Sequence, residues 1–145
     1  MYIMFVSIKQ HKNLTYMKRT KIIYWIVTGL FAVFMLMSGI QNAMATADSV
    51  DLISTKLGFP EYFVSFIGIA KILGAIAILI PGFPRIKEWA YAGLFFDLAG
   101  ATFASIAAFG FNYGTASMFI FVAFCLASYF LYHKLMKETN QPVVG

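Results

Sequence analysis

Four long apolar stretches, at residues 22–43, 62–80, 89–109 and 115–132, dominate the chain, with short polar or proline-containing breaks between them. At a rise of ~1.5 Å per residue, each is long enough to cross a hydrocarbon core of ~30 Å as a helix with modest tilt. Spanning strands are excluded, because lipid offers no partner for a sheet edge and a barrel strand needs only about 10 residues.

The breaks fit helix ends. Residues 44–60 form the longest, polar around Ala47-Asp48-Ser49-Val50-Asp51, and Pro60-Glu61 then suits a helix start, with a carboxylate at the positive end of the dipole. Pro81-Gly82-Phe83-Pro84-Arg85 is a tight turn, and Gly110-Phe111-Asn112-Tyr113-Gly114 is another. Short turns force neighbours to run antiparallel. The prediction is an all-α, four-transmembrane-helix antiparallel bundle in one domain, residues 18–137, followed by a short cytoplasmic tail, 138–145. No internal repeat, low-complexity tract or second domain is evident.

Residues 1–17 read as an extension, doubtful or disordered. Met1 to Ile8 is apolar but too short to span, and no basic region precedes it as in a signal peptide. Met17-Lys18-Arg19 looks like a bacterial start, basic just ahead of a span, so translation from Met1 or from Met17 stays open.

Composition supports the membrane reading. The 145 residues are 61% apolar and 12% charged, with mean hydropathy +0.78, whereas a soluble domain carries about 25% charged residues. Orientation follows from the basic residues. Lys9, Lys12, Lys18, Arg19, Lys21, Arg85, Lys87, Lys134 and Lys137 fall on one side, against Lys56 alone on the other. The termini and the Pro81–Pro84 turn are therefore expected in the cytoplasm. The net charge of +5 follows this topology and requires no nucleic acid.

Two charges interrupt the apolar stretches. Lys71 lies ten residues before Pro81, and Asp97 ten residues after Lys87. Each is then roughly 15 Å from the shared turn, near the bilayer midplane. A lone charge there is costly, while an opposite pair on adjacent antiparallel helices satisfies itself. Small residues surround both: Gly68, Gly74 and Ala75 around Lys71, and Gly93, Gly100, Ala101, Ala104 and Ala108 in line with Asp97. Such stripes let backbones approach closely, so these glycines are expected at helix contacts and Asp97 toward the interior. Leu94, Phe95, Leu98, Thr102, Phe103 and Ile106 are then expected to face lipid.

Three uses of the Lys71–Asp97 level stay open: a pair that sets helix register, a site for a polar or quinone-like head group, and a proton relay. Gln41 and Asn42, at the end of the first span, suit helix-end caps or interhelical hydrogen bonds, with a ligand contact the lesser reading. Glu88 and Trp89 suit a first-turn carboxylate and an interfacial anchor. Tyr24, Trp25, Tyr62, Tyr91, Tyr113, Tyr129 and Tyr132 also fall near span ends, where aromatic belts form. No catalytic or metal-ligating set can be assembled. The single Cys125 excludes an intrachain disulfide, and His11 and His133 cannot form a bis-histidine haem site inside the bundle.

The run Gly68-Ile69-Ala70-Lys71-Ile72-Leu73-Gly74, the proline turn, Lys87-Glu88-Trp89-Ala90-Tyr91-Ala92-Gly93 with Asp97, and Ser38-Gly39 before a polar patch together resemble the DoxX-like family, over roughly Lys18 to Lys137. The resemblance implies a small multi-pass protein of the bacterial inner membrane with four helices. The family takes its name from subunits of a thiosulfate:quinone oxidoreductase; some relatives associate with redox or oxidative-stress complexes, and more distant ones look like assembly factors. No shared catalytic mechanism comes with it. Gln41 stands where some relatives have a basic residue, which counts against an anionic-ligand site in the first span.

Function therefore divides three ways. A non-catalytic subunit or assembly partner of a membrane complex comes first. A quinone-linked oxidoreductase component comes second, with a quinone as its one cofactor class and a redox partner chain supplying electrons, since no dinucleotide motif or iron–sulfur cysteine set is present. A small transporter or proton pathway comes third, and would favour a homo-oligomer.

Overall fold

A computed structural model describes residues 1–140. Its elements are α1 (Tyr2–Ala43), a short α2 (Ala47–Val50) running into a π-helical turn (Asp51–Lys56), α3 (Glu61–Leu79), α4 (Pro84–Phe109) and α5 (Tyr113–Thr139). Helices α1, α3, α4 and α5 are long and apolar enough to cross a membrane. The bundle is all-α among the described residues. Helix α1 packs on α3 and α5, and α4 packs on the same two, which closes a four-cornered bundle.

Helix ends follow local chemistry. Pro84 occupies the first turn of α4, where a missing N–H costs nothing. Helix α5 starts with a capping box: Thr115 N–H donates to Asn112 Oδ1 (3.1 Å) and Asn112 N–H donates to Thr115 Oγ1 (2.8 Å). Thr46 caps α2, and the exposed Lys56–Asp51 ion pair (2.9 Å) closes the π-helical turn. The long break at 44–60 is thus largely helical rather than open loop.

Residues 2–17, expected as a doubtful or disordered extension, continue α1 without a break. The physical reason is that no glycine or proline lies between Met1 and Ile22, so nothing stops the helix of the first span from propagating outward. Met1 through Phe5 are exposed. Of the expected tail, residues 141–145 lie outside the described residues.

The core holds Tyr24, Phe31, Ala32 and Met35 of α1, Ala75 and Ile78 of α3, Leu94 and Leu98 of α4, and Cys125 of α5. The buried face of α4 is Lys87, Tyr91, Leu94, Leu98, Thr102 and Ser105. Leu94, Leu98 and Thr102 therefore face the interior, not lipid, and Gly93 and Gly100 are on the outside with nothing within 4 Å of a notional Cβ. In lipid, small and bulky apolar residues are alike in polarity, so side-chain size alone does not mark the inner face. The tight helix contacts lie elsewhere. Gly68 of α3 meets Gly39 of α1 backbone to backbone, and Gly74 packs on Leu94.

Candidate functional site

The proline turn reverses the chain between α3 and α4, so residues equally far from it come level. Lys71 and Asp97 accordingly meet across the α3–α4 seam, with Nζ 3.5 Å from Oδ2 and side chains only 12% and 11% exposed. Lys71 also donates a hydrogen bond to Ser38 Oγ of α1 (3.3 Å). The pair is loose: 3.5 Å exceeds the ~2.8 Å of a charge-assisted hydrogen bond, and Asp97 Oδ2 is buried without a hydrogen-bond partner. A buried carboxylate oxygen in that state retains unspent acceptor capacity.

A groove of about 440 Å³ runs between α3 and α4 and reaches this pair. Its walls are otherwise apolar, formed by residues such as Ala70, Gly74, Ala90 and Gly93. Leu73, Ile86 and Trp89, which also line it, are exposed on the outer surface of the bundle, so the groove opens sideways toward lipid. Ile86 and Trp89 mark its end near the proline turn, ~12–16 Å along α4 from Asp97. Here Gly93 has a use that a packing contact does not explain: lacking a side chain, it leaves the groove empty in front of the ion pair.

The remaining sequence candidates are not brought to this point. Asn42 is buried, as a neighbour of the Gly39–Gly68 contact, while Gln41 is exposed. Ser38, one turn earlier, is what reaches Lys71. Glu88 Oε1 instead lies 2.5 Å from Nε2 of His133 of α5, at a half-exposed position. Trp89 is 83% exposed, as an interfacial residue would be.

Sequence reasoning missed a second polar cluster. Lys87, counted with the basic residues of the turn, is only 4% exposed. It donates to Tyr24 OH (3.2 Å), and its ammonium lies 4.9 Å from the ring centre of Tyr132. Beside it Ser128 Oγ bridges Tyr91 OH (2.7 Å) and Thr28 Oγ1 (2.6 Å). Tyr24, Tyr91 and Tyr132 are thus core residues rather than interfacial anchors. The signal was available: Lys87, Tyr91, Thr102 and Ser105 share the spacing of one helical face, and polar groups avoid lipid. This cluster ties α1, α4 and α5 together with its hydroxyls and ammonium already engaged.

The chain matches the DoxX-like family over residues 26–128, which takes in the groove, the ion pair and most of the second cluster. No curated protein and no solved structure matches it.

Proposed function

The chain belongs to the DoxX-like family, and from that membership together with the groove we propose that it is a non-catalytic subunit of a membrane complex, holding the head group of a quinone-class molecule between α3 and α4. One observation carries the reading: an apolar groove open toward lipid ends at a loose ion pair whose carboxylate oxygen lacks a hydrogen-bond partner. Its volume of about 440 Å³ falls within the usual range of small-molecule sites, and apolar walls with a few convergent polar groups are their usual makeup. Lys71 supplies a donor and Asp97 an acceptor. The sequence carries no dinucleotide motif or iron–sulfur cysteine set, so in this reading the redox step is assigned to a partner chain.

The basic residues support an orientation with both termini on the cytoplasmic side of a bacterial inner membrane. The groove then opens into the cytoplasmic leaflet, and an isoprenoid tail leaves past Trp89 among the lipid chains. The test is thermal unfolding of the protein in nanodiscs with a short-chain quinone–quinol couple, alongside mass spectrometry of the native lipid extract. A ligand at a hundredfold excess over its Kd stabilises the folded state by about 2.7 kcal/mol. A rise in Tm and a co-extracted quinone are expected; neither form of the couple shifting Tm, with no quinone in the extract, would refute the reading.

A further inference from the structure

We propose that the α1–α5 seam at the basic end of the bundle binds the phosphate head group of an anionic phospholipid, held by Lys12, Arg19 and Lys134. The proposal is independent of the groove between α3 and α4. It starts from unbalanced charge. No Asp or Glu occurs before Asp48. The basic side chains that meet a carboxylate among the described residues are Lys56, Lys71 and His133, and none of these three cations is among them. Lys134 of α5 crosses to α1, donating to Tyr16 OH (3.2 Å) with its ammonium 4.8 Å from the ring centre. Lys12, Tyr16 and Arg19, at steps of four and three, share one face of α1. With His11 and Thr15 they border a hollow of about 360 Å³.

The group is rich in donors. Lys134 keeps two N–H bonds beyond the one given to Tyr16, and Tyr16 keeps its own O–H. Thr15 is already engaged with the His11 carbonyl (2.9 Å). The complement is a ligand group that only accepts and carries negative charge, as a phosphodiester does. Lys12 and Arg19 stand ~10 Å apart along the helix, and stems of ~6 Å let both reach a phosphate above Tyr16. Glu138, four residues after Lys134, is one carboxylate against three cations, and it accepts from Thr20 Oγ1 (3.4 Å).

Depth selects a lipid over a soluble anion. Arg19 is three residues ahead of Ile22, where the first apolar stretch begins, and Lys134 is two residues past Tyr132, where the fourth ends. A rise of ~5 Å or less places both in the head-group layer. The same face of α1 continues through Ile23, Ile26 and Leu30, all exposed, again at steps of four, three and four. A basic stripe above an apolar one matches a phosphate above its acyl chains. Basic clusters between helices on the cytoplasmic side recognise anionic lipids in this way.

The experiment is native mass spectrometry of the delipidated full chain, titrated with phosphatidylglycerol or with phosphatidylcholine carrying the same acyl chains. Phosphatidylglycerol should bind at least about tenfold tighter. The triple variant Lys12→Gln, Arg19→Gln, Lys134→Gln should bind the two lipids within about twofold of each other. The triple variant Lys9→Gln, Arg85→Gln, Lys137→Gln removes the same charge elsewhere on this end and should keep the preference. Inorganic phosphate at millimolar concentration should not displace the lipid. If the first triple variant does not fold, its three single variants, each expected to lose about fivefold, take its place. Equal wild-type affinity for the two lipids overturns the proposal. Equal losses in both triple variants also overturn it, because they mean diffuse attraction to net charge. So does displacement by inorganic phosphate, which means a site for soluble anions. No quinone enters this experiment, so the reading of the groove stands or falls separately.

Discussion

Gly39 and Gly68 meet so closely that neither has room for a side chain: a Cβ on Gly68 would lie 2.6 Å from the carbonyl oxygen of Gly39, and one on Gly39 would lie 3.0 Å from the carbonyl oxygen of Gly68. The same approach positions the site. A Cβ on Gly39 would also stand 3.1 Å from Cβ of Lys71, so the glycine contact sets the distance at which Ser38, the preceding residue, meets the Lys71 ammonium.

Gly68→Ala should therefore destabilise the bundle, because backbone rather than a pliable side chain lies in the way. Overpacking of this kind costs about 1–3 kcal/mol. Gly93→Ala, placed in open space, should stay within about 0.5 kcal/mol of wild type. Reversible unfolding in detergent measures both, and equal effects would contradict the contact.

Lys71→Met and Asp97→Leu should each cost roughly 3 kcal/mol, since either leaves its partner charged and buried. The double variant should recover most of that loss, because no unpaired charge remains. A double variant as unstable as the sum of the singles would mean that the two side chains act independently.

Lys87 and Tyr24 should be coupled. Tyr24→Phe removes the hydroxyl that accepts from the buried ammonium and is expected to cost about 1–3 kcal/mol. In a Lys87→Met background the same change should cost about 1 kcal/mol less. Identical costs in both backgrounds would show that the ammonium gains nothing from the tyrosine.

Topology is open to cysteine labelling. In a Cys125→Ala background, Ala47→Cys, exposed beside the π-helical turn, should react with an impermeant reagent applied outside intact cells. Arg85→Cys in the proline turn should react only after the membrane is opened. The reverse pattern would overturn the orientation proposed from the basic residues.

Much of the fold was legible because lipid imposes strong rules on sequence. Span length and the Pro81–Pro84 turn were sufficient to put Lys71 and Asp97 at one level. Which face of α4 turns inward was not, since glycine and leucine differ in size but not in polarity. Lys87 was misplaced for a related reason. Arg85 and Lys87 are two residues apart and both basic, yet Pro84 starts the helix just before them, so Lys87 turns into the bundle while Arg85 remains exposed. The groove was invisible as well, because it depends on what Gly93 leaves empty. The unbroken run of α1 through residues 2–17 was missed for want of any positive signal there beyond the absence of a breaker.

Native mass spectrometry of the protein released from its own membranes, wild type beside Gly93→Phe, bears most directly on the Lys71–Asp97 groove as the place where an amphiphile is held. Wild type should carry a bound hydroxyl- or quinone-bearing ring compound, and the phenylalanine variant, equally folded, should have lost it. The same compound retained by both, or neither carrying one, would leave the ion pair as a packing device alone.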